Sequence, residues 1–196
     1  MMDRGILVDY DGRPAVRFRR EFAQPVERLW AAITEADELE RWFPSKVRMQ
    51  PEAGTIEFYG DPNLPDSGHT GTILLYEPPK RLAYTWGASE LHFALEASDD
   101  GGCVLMLTDV LEALDAAARN AAGWTVCLAE LGKHLAGHVA DGPHSETAES
   151  WREHYEDYVA RGMPSGRTYP AAPERRLARP ASAIGTRLRC QSRGLT

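Results

Sequence analysis

Three cysteines in 196 residues, Cys103, Cys127 and Cys190, are too few, too far apart and odd in number for a disulfide framework, and none forms a Cys-x-x-Cys pair. Cys103 and Cys127 sit among apolar neighbours and read as small core hydrophobes. No apolar run approaches the roughly 18 residues of a membrane span. The opening MMDRGILVDYDGRPAV has no apolar block of the secretory kind, so a cytoplasmic protein without membrane contact is expected. Gly-x-Ser-x-Gly, phosphate-loop and dinucleotide fingerprints are missing, which leaves nucleophilic catalysis unsupported, and no cofactor is assigned. Basic residues are scarce outside the C-terminal segment. Of 22 Lys and Arg and 29 Asp and Glu, the stretch from Pro164 onward takes seven Arg and one Glu, leaving 15 basic against 28 acidic residues and a balance of -13 for the body. Such a body repels nucleic acid, and the Arg-rich stretch lacks the aromatic interleaving of a nucleic-acid binder.

What the chain does have is clear periodicity. Ala117, Ala121, Trp124, Leu128, Leu131 and Leu135 follow one another at spacings of four and three, which predicts one buried stripe on a helix from Asp115 to Gly137. Asp115 is expected to cap its start and Gly137 to end it in the left-handed conformation. Earlier, Val16, Phe18, Arg20 and Phe22 alternate with Arg17, Arg19 and Glu21 in a strand, Pro25 opens a helix over VERLWAAITEA, and ADELERWF forms a second short helix stopped by Pro44. Period two then holds through six further strands: 45–49, 55–59, 70–77, 81–86, 90–97 and 103–110. The short turns between them imply an antiparallel sheet. Residues 1–14 read as an arm or short edge element, and residues 15–138 as the main domain. Residues 139–163 read as a polar link and an appended helix, and residues 164–196 as a disordered tail.

The residues also match a known pattern. RREFAQPVERLWAAITEADELERWFP resembles the opening of the family of proteins similar to the activator of heat-shock protein 90 ATPase, within the START-like SRPBCC superfamily. The matching positions are Arg20, Phe22, Gln24-Pro25, Leu29-Trp30 and Trp42-Phe43, then Gly71 to Ile73, Glu77 to Leu82 entering Tyr84-Thr85-Trp86, and Gly123-Trp124. The resemblance covers roughly Ala15 to Leu135. It implies an α+β helix-grip fold, a curved antiparallel sheet around a long C-terminal helix with a cavity between them. In different relatives that cavity binds apolar ligands or catalyses cyclisation or dehydration. The heat-shock partner role belongs to relatives carrying a further domain and is not expected here.

For such a cavity the lining candidates are Trp42, Tyr59, Tyr84, Trp86, Trp124 and Leu128, and the expected partner is a small apolar molecule. Further polar candidates are His69, Tyr76, His92 and Thr108, of which His69 is expected in solvent and His92 on the outer face. Asp109 shares its alternation with Cys103, Leu105, Leu107 and Leu111. Since aspartate is rarely buried, solvent beyond the strand end is the leading expectation for it. Placed inside, with Arg20 as a partner, it would be a general base or polar anchor with a raised pKa. Glu130, His134 and His138 recur at metal-ligand spacing, but Gly137 interrupts them and they read as a solvated helix end, so no metal is assigned. Trp151, Tyr155 and Tyr158 form a helical stripe that either docks on the domain or meets a protein partner or a second copy.

Overall fold

Eight strands in a single antiparallel sheet, ordered β1-β2-β8-β7-β6-β5-β4-β3, form the body of the computed structural model, which describes residues 4–62 and 68–166. The strands are β1 (Ile6–Tyr10), β2 (Arg13–Phe22), β3 (Lys46–Gln50), β4 (Thr55–Tyr59), β5 (His69–Glu77), β6 (Arg81–Trp86), β7 (Ser89–Ala97) and β8 (Cys103–Val110). Helices α1 (Val26–Thr34) and α2 (Ala36–Leu39) carry the chain from β2 to β3 at the far edge, α3 (Ala117–Leu135) follows β8, and α4 (Trp151–Ala160) follows α3. The curved sheet with its long C-terminal helix is the helix-grip architecture. β1 is one strand more than alternation predicts. ILVDY has few positions to bury, and it is held as an edge strand by its register on β2, Ile6 opposite Arg17 through Tyr10 opposite Arg13.

The alternation of the strands decides which side chains face α3. Across β2, β8 and β7 the opposed triples are Phe18, Leu107 and Phe93, then Val16, Asp109 and Leu91. All six are buried, and the helix covers them with Ala121, Trp124, Leu128, Leu131 and Leu135. Each buried Leu or Phe contributes about 1.5–3 kcal/mol relative to exposure, which makes this interlock the main source of stability. Gly71 sits where β5 is flanked by β4 and β6, and a Cβ there would lie 2.1 Å from the Thr85 carbonyl oxygen. Only glycine permits that approach.

Asp115 does not cap α3. Residues Leu114–Ala116 form a 3-10 turn, Ala116 precedes the helix without a side-chain cap, and the early amide of Ala118 donates instead to the Pro164 carbonyl at 3.0 Å. Gly137 ends the helix as predicted, at φ 75°, with its amide on His134 O (3.0 Å) and that of His138 on Lys133 O (2.9 Å).

α4 packs on the outer side of α3. The Tyr158 hydroxyl accepts from Gly5 N (2.8 Å) and shares a hydrogen with Thr125 Oγ1 (2.9 Å), while Trp151 Nε1 donates to Arg119 O (3.3 Å). Arg4 pairs with Asp157, so the start of β1 and α4 are tied together. No helix among the described residues is long and apolar enough to cross a membrane. Most of the Arg-rich segment, residues 167–196, lies outside the described residues.

Candidate functional site

Asp109 is fully buried on the concave face of β8. Its Oδ2 accepts from Asn120 Nδ2 at 2.9 Å and from Trp124 Nε1 at 3.0 Å, two donors one turn apart on α3. Arg119 Nε donates to Asn120 Oδ1 at 2.9 Å, which aims the Asn120 amide hydrogens at the carboxylate. The other carboxylate oxygen, Oδ1, has no partner among the described residues. Burial drives the Asp109 pKa up from 3.8 to about 6, against the opposing pull of the two hydrogen bonds and the Arg119 charge.

Trp124 links this carboxylate to an aromatic group. Its ring lies 5.7 Å from both Phe43 and Trp86, Phe43 lies 5.5 Å from Trp86, and Phe58 lies 6.2 and 6.3 Å from Phe43 and Trp86. His69 stacks on Phe58 at 4.7 Å. Burial lowers the His69 pKa, against the charge of Asp61, so the ring is neutral at pH 7. Two more polar atoms here lack a partner among the described residues, Trp86 Nε1 and His69 Nε2. Four such atoms are found among the described residues, and three belong to this group. Buried polar atoms are nearly always paired, so these three are open to a partner beyond the described residues.

Comparisons with known proteins bear on the family and the fold. A family model described as "Activator of Hsp90 ATPase homolog 1-like protein" matches residues 23–136. The chain belongs to this family. A conserved protein of unknown function from Enterococcus faecalis is similar in structure at TM-score 0.64 and 19% identity, over 80% of this chain and 89% of that one. A Bordetella parapertussis protein shares 25% identity at TM-score 0.61, over 86% and 96%. An AHSA1-like protein from Aeromonas hydrophila aligns at TM-score 0.53 and 19% identity, over 63% and 92%. No functionally curated protein matches the chain.

Within this Hsp90 ATPase activator homolog 1-like domain, Trp86, Trp124 and Leu128 come together between sheet and α3, with Asp109 beside them. The expectation that Asp109 lies in solvent is overturned, because α3 closes over the end of β8 and supplies the donors that its burial demands. Its partners are Asn120 and Trp124. Arg20, four rungs along β8 opposite Leu105, lies instead over the Phe18 ring at 5.4 Å. His69 is half-buried against Phe58 where solvent was expected.

Tyr59 is not a lining residue. Ile56 and Phe58 take the inward positions of β4, which turns Tyr59 outward at 41% exposure. Trp42 and Tyr84 lie behind the aromatic group: Trp42 Nε1 donates to Ala32 O at 2.8 Å, and Tyr84 stacks between Phe58 and Phe93 at 5.8 Å from each. His92 faces the outer side as predicted, between Tyr10 and Glu90, and Thr108 accepts from Arg17 Nε there. Tyr76 meets Trp30 at 5.5 Å, beyond a register shift in β5. Asn120 and Phe43 were not among the lining candidates read from the sequence. The spacing Asn120 to Trp124, one helical turn ending in a donor-bearing ring, was the available signal.

Of the row near the end of α3, His138 is exposed as expected, whereas His134 and Glu130 are not solvated. His134 Nε2 lies 2.5 Å from Glu38 Oε2, which also accepts from Arg28 at 2.8 Å, and Glu130 is fully buried against Lys133. No group of three His, Cys, Asp or Glu among the described residues is placed to hold a metal ion. A concavity of about 370 Å³ lies elsewhere, between the start of β1 and the end of α4. Ile6, Leu7, Tyr158, Met163 and Pro164 line it, and its two cations, Arg4 and Arg161, both engage Asp157.

Proposed function

We propose that this domain holds a small, largely apolar molecule between the concave face of the sheet and α3. The observation that carries this is the aromatic group of Phe43, Phe58, Trp86 and Trp124 bordered by three buried polar atoms without partners among the described residues. Flat apolar faces supply affinity and a few convergent polar atoms supply orientation, which is the usual composition of a ligand site. A cytoplasmic setting suits such a role. A thermal-shift panel of bicyclic aromatic probes tests it. A probe at about a hundred times its dissociation constant raises the melting temperature by about 5–10 °C, and Trp124→Ala, checked for fold by circular dichroism, removes the rise. No rise with any probe contradicts the proposal.

A second role, acid–base catalysis of the cyclase or dehydratase kind, is favoured by Asp109 alone. A buried carboxyl with a pKa near 6 and a free oxygen has the properties of a general base at neutral pH. Protein binding through α4 is favoured less, because Tyr158 is consumed in docking and Trp151 keeps 43% exposure while stacked on Tyr155 at 5.0 Å.

A further inference from the structure

We propose that a second copy of this chain docks along the free edge of β1, strand against strand, so that the two sheets continue into one another. β1 ends the sheet order with only β2 beside it. Two contacts fix which of its backbone groups face the open side. Gly5 N donates to the Tyr158 hydroxyl, and Pro14, opposite Asp9 on β2, has no N–H and turns its carbonyl away to Leu111 N just past β8 (2.8 Å). In an antiparallel pair, residues that bond across the ladder alternate with residues that do not. Ile6, Val8 and Tyr10 therefore bond to β2, while Leu7 and Asp9 turn both N–H and C=O to the open side. Edges of this kind are commonly blunted by charge or proline. The opposite edge is blunted so, because β3 exposes Lys46 and Arg48. β1 has one charge, Asp9, which accepts from Gly12 N, and it exposes Ile6 at 58% and Leu7 at 40%.

In one register the strand is its own complement. With a two-fold axis through Val8, Leu7 of each copy faces Asp9 of the other, and these pairs use all the backbone groups that Leu7 and Asp9 turn outward. Neighbouring registers do worse. Centring on Leu7 sets Asp9 against Gly5, whose N–H is taken by Tyr158, and centring on Asp9 sets like charges opposite each other. In the favoured register Ile6 lies beside Tyr10 of the second copy on the outer face, an aliphatic–aromatic cross-strand pair. Asp11, exposed in the turn after β1 at φ 50°, then arrives beside Gly5, at the concavity of about 370 Å³ between β1 and α4. Both cations that line this concavity, Arg4 and Arg161, pair with the one carboxylate of Asp157, which leaves a positive charge over. Asp11 of the second copy meets it, twice by symmetry. This charge match selects a second copy over an unrelated extended segment.

Sedimentation velocity of the full chain over about a hundredfold range of concentration tests this, and a reversible equilibrium of monomer and dimer is expected. Leu7→Pro removes an N–H that faces the open side and keeps the β1–β2 ladder. It weakens the dimer at least about tenfold, because symmetry removes two hydrogen bonds at once. Asp11→Asn tolerates the positive φ and weakens the dimer about two- to thirtyfold, since two exposed ion pairs are lost together. Circular dichroism checks the fold of both variants, and Asp11→Asn decides alone should Leu7→Pro not fold. In a 15N–1H spectrum of wild type, shifts that grow with concentration gather at Leu7, Asp9 and Asp11, and the Trp151 indole on α4 stays in place. A chain that is monomeric throughout overturns the proposal. Slow exchange of the Leu7 and Asp9 amides in that monomer would mean that another part of the same chain covers the edge. A dimer unweakened in either folded variant, or one whose contact moves the Trp151 indole, overturns it as well.

Discussion

Replacing Asp109 with asparagine should stabilise this protein at neutral pH. Folding carries the carboxyl from an ordinary value of 3.8 to about 6 because burial penalises the charge more than Asn120, Trp124 and Arg119 compensate it. The native state thus binds more protons than the unfolded chain between those two values, so stability falls as pH rises through that window. A shift of about two units at 1.36 kcal/mol each makes the loss about 3 kcal/mol by pH 7. Asparagine is nearly the same shape, keeps an oxygen for Asn120 and Trp124, and does not titrate. Urea denaturation followed by circular dichroism should find the two proteins within about 1 kcal/mol of each other at pH 4. At pH 7 the variant should be about 3 kcal/mol more stable, a gap equivalent to about 6–12 °C in melting temperature. Other carboxylates titrate in both proteins and cancel in the difference. A gap that is the same at pH 4 and pH 7, of either sign, would refute a buried, ionised Asp109. A residue that costs this much stability at working pH is what a site kept for function looks like.

Two further perturbations probe how the frame is held. Tyr158→Phe removes the acceptor for Gly5 N and the partner of Thr125 Oγ1, and should cost about 1–3 kcal/mol in a thermal melt, since a buried amide is left unpaired; no change would mean that α4 is not anchored there. Glu38 is penalised by burial, yet the bonds from His134 and Arg28 outweigh that and hold its carboxyl below the ordinary 4.5. It contributes stability above that value and loses it as pH falls through the lower folded value, so Glu38→Gln should flatten the acid limb of urea midpoints below about pH 4.5. An unchanged acid limb would place the linkage elsewhere.

Much of the fold is legible in the sequence because strands with one buried face advertise it. Thr55–Tyr59, Arg81–Trp86 and Cys103–Val110 alternate so plainly that their bounds are read to the residue. β1 was legible only as an arm or a short edge element: with Ile6 and Leu7 exposed it has no buried face to decide between the two. The start of α3 was misread because its first turn is completed from Pro164, nearly fifty residues away, and no local pattern encodes a long-range cap. At the site, alternation and composition disagree over Asp109, and alternation wins because the helix brings donors to meet the carboxylate. Alternation would also have excluded Tyr59, whose neighbours Ile56 and Phe58 take the inward places. His69 could not be placed from sequence, since its burial depends on Phe58 from another strand.

The most direct measurement is the set of indole N–H resonances in a 15N–1H spectrum. The five tryptophans, Trp30, Trp42, Trp86, Trp124 and Trp151, give five probes with different surroundings. Trp42, Trp124 and Trp151 already donate to Ala32 O, Asp109 Oδ2 and Arg119 O. A saturating bicyclic aromatic probe should shift the neighbouring Trp86 and Trp124 indole resonances and leave Trp42 and Trp151 in place. Movement of Trp151 alone, or of none, would contradict a ligand site between the sheet and α3.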